Sequence, residues 1–203
     1  FNGGIMADYY VDGTIVSANG SGAGTIGDPW GKTDDLINYA VTQIEAGAGK
    51  GAKGDRITVV AGDLNSTQSP WIQQTSATNY YNQDRPLGII GKGRDQTNWD
   101  GGANPKIGPN YNDGVTRLDC YVIANMTLSN LPTSAGSANH LFGGSTSATF
   151  FNCDILFNPA LDGVMTGSSR VFKLINCRYI PSQSLQAYSG SATSIGTYFD
   201  CRN

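Results

Sequence analysis

The sequence predicts an all-β chain wound as a right-handed parallel β-helix, a solenoid of about five to seven coils behind an N-terminal helical cap. Three rows of like residues predict it. Cys153, Cys177 and Cys201 stand at one fixed interval, in "FFNCDILFN", "LINCRYIPS" and "YFDCRN". Gly144, Gly167 and Gly190 recur at a second, nearly equal interval, each beside a serine and after a short apolar run. Asn125, Asn152, Asn176 and Asp200 immediately precede Met126, Cys153, Cys177 and Cys201. Repeats with a period in the twenties belong to solenoids. The unit has no Leu-x-x-Leu-x-Leu pattern and no helix, only short strands and turns, so equivalent residues of successive coils are expected to stack about 4.8 Å apart.

Composition agrees. Only 14% of the 203 residues are charged, 27 are glycine, and Glu45 is the single glutamate among 16 acidic residues. Aspartate favours turns where glutamate favours helices, so this bias disfavours an α-rich chain. A net charge of −3 gives no basic footprint for nucleic acid. No apolar run reaches the roughly 20 residues that span a bilayer. The start at Phe1 is expected of a trimmed, processed or partial chain, and the sequons at Asn19, Asn65 and Asn125 carry little weight in so polar a sequence.

In chain order, "ADYYVDG" (7–13) is the first strand, and "SANGSGAGTIGDPWG" (17–31) is a loop of turn formers. Leu36, Ile37, Ala40, Val41 and Ile44 have helical spacing, predicting a helix over 33–47 with Thr33 as N-cap, Asp34 and Asp35 at its positive end and Gly47 as its stop. "GDRITVVAGDL" (54–64) is a strand after the flexible "AGAGKGAKG". Short strands follow at 86–93, 117–130, 140–144, 148–158, 163–167, 170–180 and 196–203. One domain thus covers 1–203, with 1–64 as the cap region and 65–203 as coils, of which 65–85 and 101–116 are expected insertions.

Stacked cysteines admit three readings. Adjacent α-carbons near 4.8 Å lie within disulfide range, but parallel side chains point the same way. Zinc needs four converging ligands, and no Cys-x-x-Cys pair is present. A small apolar thiol packs well in an inward row beside Met126, and this reading is favoured. Cys120, outside the series, is expected to be buried too. The Asn/Asp row suits sharp turns, where asparagine tolerates the left-handed conformation and its amide can bond the next coil.

The stretch "YYVDGTIVSANGSGAGTIGDPWGKTDDLINYAV…GDRITVVAGDL", the following "PLGIIGKGRDQTNWDG" (86–101) and the "NC" turns of the last coils together resemble the pectate-lyase-like parallel β-helix superfamily. That fold hosts lyases, hydrolases and non-catalytic viral proteins, so the resemblance implies an architecture more than an activity. Hydrolases of this kind place paired aspartates on a strand with a Gly-His-Gly; here the one Asp-Asp is Asp34–Asp35 at a helix start, and the one histidine, His140, lies in "NHLF". The lyase signatures Arg-x-Pro-x-x-Arg and Trp-x-Asp-His are missing too. A lyase would use Arg117 as base with Ca²⁺ on oxygens from Asp100, Asp113 and Asp119, with Asp95 beside them. Trp71, Tyr80, Tyr81 and Trp99 are expected to be exposed rings that stack on sugars or contact a partner.

A short solenoid without these signatures is expected to be a non-enzymatic virion protein, a capsid decoration or spike component on the virion surface, without cofactor, assembled as a homotrimer or with other virion proteins. The end just past Cys201 fits such a reading, since an open coil end is expected to be covered. The alternatives are a secreted, Ca²⁺-dependent polysaccharide lyase and a glycan-binding module.

Overall fold

The computed structural model describes residues 7–46, 55–65, 72–74, 87–100, 107–109, 116–131, 145–157, 172–180 and 196–199. They form fourteen strands and one helix: β1 (Asp8–Asp12), α1 (Leu36–Ala46), β2 (Arg56–Ala61), β3 (Leu64–Asn65), β4 (Ile72–Gln74), β5 (Leu87–Ile90), β6 (Asn98–Asp100), β7 (Ile107–Pro109), β8 (Thr116–Ala124), β9 (Thr127–Leu131), β10 (Ser145–Phe151), β11 (Asp154–Phe157), β12 (Phe172–Ile175), β13 (Arg178–Ile180) and β14 (Gly196–Phe199). The chain is β-rich with little helix, and every pairing between these strands is parallel.

Two sheets dominate. One runs β1-β2-β5-β8-β10-β12-β14 and the other β13-β11-β9-β6-β3. The chain passes from the first sheet to the second at β2–β3, β5–β6, β8–β9, β10–β11 and β12–β13. Parallel neighbours cannot be joined by a tight hairpin, so each return needs a longer crossover. Alternation along the strands turns one face inward. Ile57, Ile89, Ile123, Phe150 and Leu174 are buried on the first sheet, and Leu64, Trp99, Leu128 and Ile155 on the second.

The helix turns Leu36, Ile37, Ala40, Val41 and Ile44 into this core, as their spacing predicts. It begins at Leu36 rather than at Thr33. Asp35 has φ 54°, outside the helical region, so Thr33 and Asp34 belong to the preceding turn; the Tyr39 N–H bonds the Asp35 carbonyl at 2.9 Å as the first helical bond. Gly47 lies outside the described residues. Before the helix, Trp30 stacks on Tyr9 with ring centroids 5.3 Å apart and bonds the β1 backbone.

Two expectations change. The single strands expected over 54–64, 117–130, 148–158 and 170–180 each break into two, at Gly62–Asp63, Asn125–Met126, Asn152–Cys153 and Asn176–Cys177, because Gly62 (φ 71°), Asn125 (φ 57°), Asn152 (φ 54°) and Asn176 (φ 51°) turn the chain from one sheet to the other. The stretches read as insertions, 65–85 and 101–116, contribute β4 and β7, which pair with each other in a third, two-stranded sheet. The strands expected at 140–144 and 163–167 lie outside the described residues. Among the described residues no helix is long and apolar enough to cross a membrane.

Candidate functional site

The sharp corner between the two main sheets is built the same way on successive rungs. Asn125, Asn152 and Asn176 have φ of 57°, 54° and 51°, values an asparagine adopts at far lower cost than a β-branched residue. Their amides bond one another along the stack: Asn152 Nδ2 donates to Asn125 Oδ1 at 2.9 Å, and Asn176 Nδ2 donates to Asn152 Oδ1 at 3.0 Å. The main chain follows suit, with the Asn125 N–H on the Phe151 carbonyl and the Asn152 N–H on the Ile175 carbonyl. Equivalent bonds from Gly91 N–H to Ala124 and from Gly13 N–H to Ala61 place glycines at this corner on the earlier rungs.

One residue further on, the bonds Thr127 N–H to Thr97, Asp154 N–H to Met126 and Arg178 N–H to Cys153 align Thr97, Met126, Cys153 and Cys177 in one buried column. Cys153 and Cys177 are free thiols, 0% and 1% exposed, and their sulfurs lie 3.4 Å from the Ile123 carbonyl oxygen and 3.5 Å from that of Phe150. The neighbouring Cys177 thiol, reinforced by burial, holds Cys153 well above the usual thiol range, and the Cys153 thiol in turn lowers Cys177 to about 7. Among the described residues no group of three or more His, Cys, Asp or Glu side chains could hold a metal ion.

The outer face of the second sheet carries the polar chemistry. Register aligns Asn98 with Thr127, Thr127 with Asp154 and Asp154 with Arg178. Asp63 joins this row, because its Oδ1 accepts the Asn98 N–H at 2.8 Å. Arg178 grips Asp154 with two nitrogens, Nε at 2.8 Å from Oδ1 and Nη2 on Oδ2, which raises the Arg178 pKa. The loop from Gly91 to Thr97 folds over the same row. It is closed by a bond from the Lys92 N–H to Thr97 Oγ1 at 3.1 Å, and the Arg94 carbonyl accepts the Thr127 hydroxyl. The Arg94 guanidinium reaches onward, Nη2 donating to the Asn176 carbonyl and Nε lying 3.6 Å from Asp154 Oδ1. Between loop and sheet lies a groove of about 510 Å³ whose walls include Asp63, Arg94, Asp95, Asn98, Ser129 and Leu156.

The residues singled out by sequence distribute unevenly. Trp99, expected as an exposed contact ring, is 0% exposed. It occupies the middle of β6, where alternation turns it inward between Leu64 and Leu128 in register, so it is a core residue. Asp100 lies on β6 in the second sheet, where its Oδ1 accepts Asn130 Nδ2 at 2.7 Å; Asn130 (φ 57°) forms a bulge in β9. Arg117 and Asp119 lie on β8 in the first sheet, so the residues of the lyase reading are divided between sheets. Their side chains, and that of Cys120, are outside the described set, as are Trp71, Tyr80, Tyr81, Asp113, His140, Asp200 and Cys201. The described members of the proposed calcium set are thus Asp95 and Asp100, which form no metal-holding group with other His, Cys, Asp or Glu side chains among the described residues.

Sequence reasoning missed Asp63, Arg94, Asp154 and Arg178. A signal was present for two of them, since "NCD" and "NCR" place opposite charges in the same phase as the cysteines. The chain matches no protein-family model, no curated protein and no solved structure.

Proposed function

We propose that the chain is a parallel β-helix, right-handed as crossovers between parallel strands are, and that it serves as a non-catalytic structural part of a larger assembly. The short solenoid and the missing lyase and hydrolase signatures favour the non-catalytic viral setting among those this superfamily occupies: a capsid decoration or spike component on a virion surface, self-associated as a trimer. The alternation of strands between two parallel sheets, with amides, thiols and ion pairs repeating in register, supports the coil reading. One observation carries the non-catalytic reading. Charged groups on the second sheet serve to tie rungs together, Arg94 and Arg178 on Asp154 and Asn130 on Asp100, and Asp100 belongs to a different sheet from Arg117 and Asp119 of the lyase alternative.

The test is incubation with uronate-containing polysaccharides and Ca²⁺. The expected result is no unsaturated uronate end by ultraviolet absorbance; formation of such ends overturns the non-catalytic reading. Sedimentation equilibrium is expected to return a trimer mass, and a monomer at micromolar concentration overturns the assembly reading.

A further inference from the structure

The buried column places two free thiols in equivalent positions on successive rungs. Cys153 Sγ lies 3.4 Å from the Phe151 carbonyl oxygen and 3.4 Å from that of Ile123. Cys177 Sγ lies 3.4 Å from the Ile175 carbonyl oxygen and 3.5 Å from that of Phe150. Phe151 pairs with Ile175, and Ile123 with Phe150, so the second sulfur repeats the first one rung on. Neighbouring rungs stand about 4.8 Å apart, and that spacing separates the two sulfurs.

The separation decides what can join them. A disulfide holds its sulfurs about 2.05 Å apart, which leaves roughly 2.7 Å to close between packed rungs. A metal–thiolate bond to a d¹⁰ ion is about 2.3 Å long, so two of them in line span about 4.6 Å. Zinc is not satisfied here, because it takes four ligands in a tetrahedron. Cu(I) is soft, prefers thiolate and thioether sulfur, and accepts two sulfurs in line. The Met126 thioether fills the preceding position of the same column, and Met126, Cys153 and Cys177 are all at most 1% exposed. Such burial keeps water and harder ligands from the ion.

Cu(I) would replace the two thiol protons, which pass to solvent, and the two-thiolate unit would carry one negative charge. The Arg94 guanidinium bonds the Asn176 carbonyl beside Cys177, so a cation stands next to that charge. Asp154, which Arg94 also faces, is held by Arg178 as well.

We propose that Cys153 and Cys177 form a linear two-sulfur site for Cu(I), set inside the stack between adjacent rungs. This adds a metal site to the structural role and does not depend on the assembly state.

The test is an anaerobic titration of the reduced protein against the Cu(I)–bicinchoninate complex. Because both sulfurs are buried, a second sample is refolded with the same complex present. One Cu(I) per chain is expected to leave the chelator, and copper-edge X-ray absorption is expected to show two sulfur neighbours. Cys153→Ala and Cys177→Ala are each expected to weaken binding by about a hundredfold or more, beyond what losing an outer partner of a ligand costs. Melting curves report whether these variants fold, and the wild-type spectrum tests the geometry without them. Three outcomes overturn the proposal: no copper withdrawn by either sample; a copper environment containing nitrogen, oxygen or more than two sulfurs; or binding that both alanine variants retain in full, which moves the ion to Cys120 or Cys201.

Discussion

The early and late rungs turn the same corner with different residues. At Gly13, Gly62 and Gly91 the corner is glycine; at Asn125, Asn152 and Asn176 it is asparagine. The early rungs need glycine for space. A Cβ at Gly13 would lie 2.0 Å from the Asp63 carbonyl oxygen, and one at Gly91 would lie 2.3 Å from that of Asn125. Gly62 combines such crowding, 2.7 Å from Gly13 C, with φ 71°. On the late rungs the strands leave room for a side chain, and asparagine uses it to add an amide bond between rungs. The left-handed turn recurs at Gly62 and the asparagines, and what fills it is decided by how closely the next rung approaches.

The largest effect is expected from exchanging one solution for the other. Gly91→Asn puts a late-rung residue where backbone stands 2.3 Å away, and neither Asn125 O nor Met126 Cβ at 2.8 Å belongs to a flexible side-chain end. Urea unfolding should show a loss of about 3 kcal/mol or more, the range of severe overpacking. Retention of wild-type stability would show that the early corner does not require glycine.

An intermediate effect is expected at Asn152, the central amide. Asn152→Ala removes two hydrogen bonds and leaves a Cβ-bearing residue at φ 54°, for a loss of about 2–3 kcal/mol. Asn152→Gly removes the same bonds but tolerates the angle, so it should be milder by about 1 kcal/mol. Equal losses by urea titration would assign the asparagine entirely to the amide ladder and nothing to the turn.

The smallest effect is expected from Arg178→Ala. Its side chain is 57% exposed, and Arg94 still faces Asp154 when it is gone. The melting temperature should stay nearly unchanged, and raising the salt concentration should erase whatever difference is seen. A large loss would mean that the outer ion-pair row, rather than the corner, holds the late rungs together.

Much of this is legible locally. The helix face of Leu36, Ile37, Ala40, Val41 and Ile44 follows from the period of an α-helix, and the phase of Asn125, Asn152 and Asn176 follows from their spacing. Trp99 reads as exposed because "NWDG" shows polar neighbours and no long alternation. Its inward direction depends on register with Leu64 and Leu128, which belong to the rungs before and after it. Arg94 and Asp154 are silent in the sequence for the same reason. They are distant along the chain, and only the path of the loop over β9 and β11 makes them neighbours.

The β-rich class, the repeat phase, the inward cysteine column and the residues able to turn left-handed are written in the amino-acid order, because these depend on backbone preference and alternation within one rung. Where glycine must replace asparagine, and which charges meet across rungs, follow from packing between rungs. Those features arise from the distance between rungs, and no single rung carries that distance in its sequence.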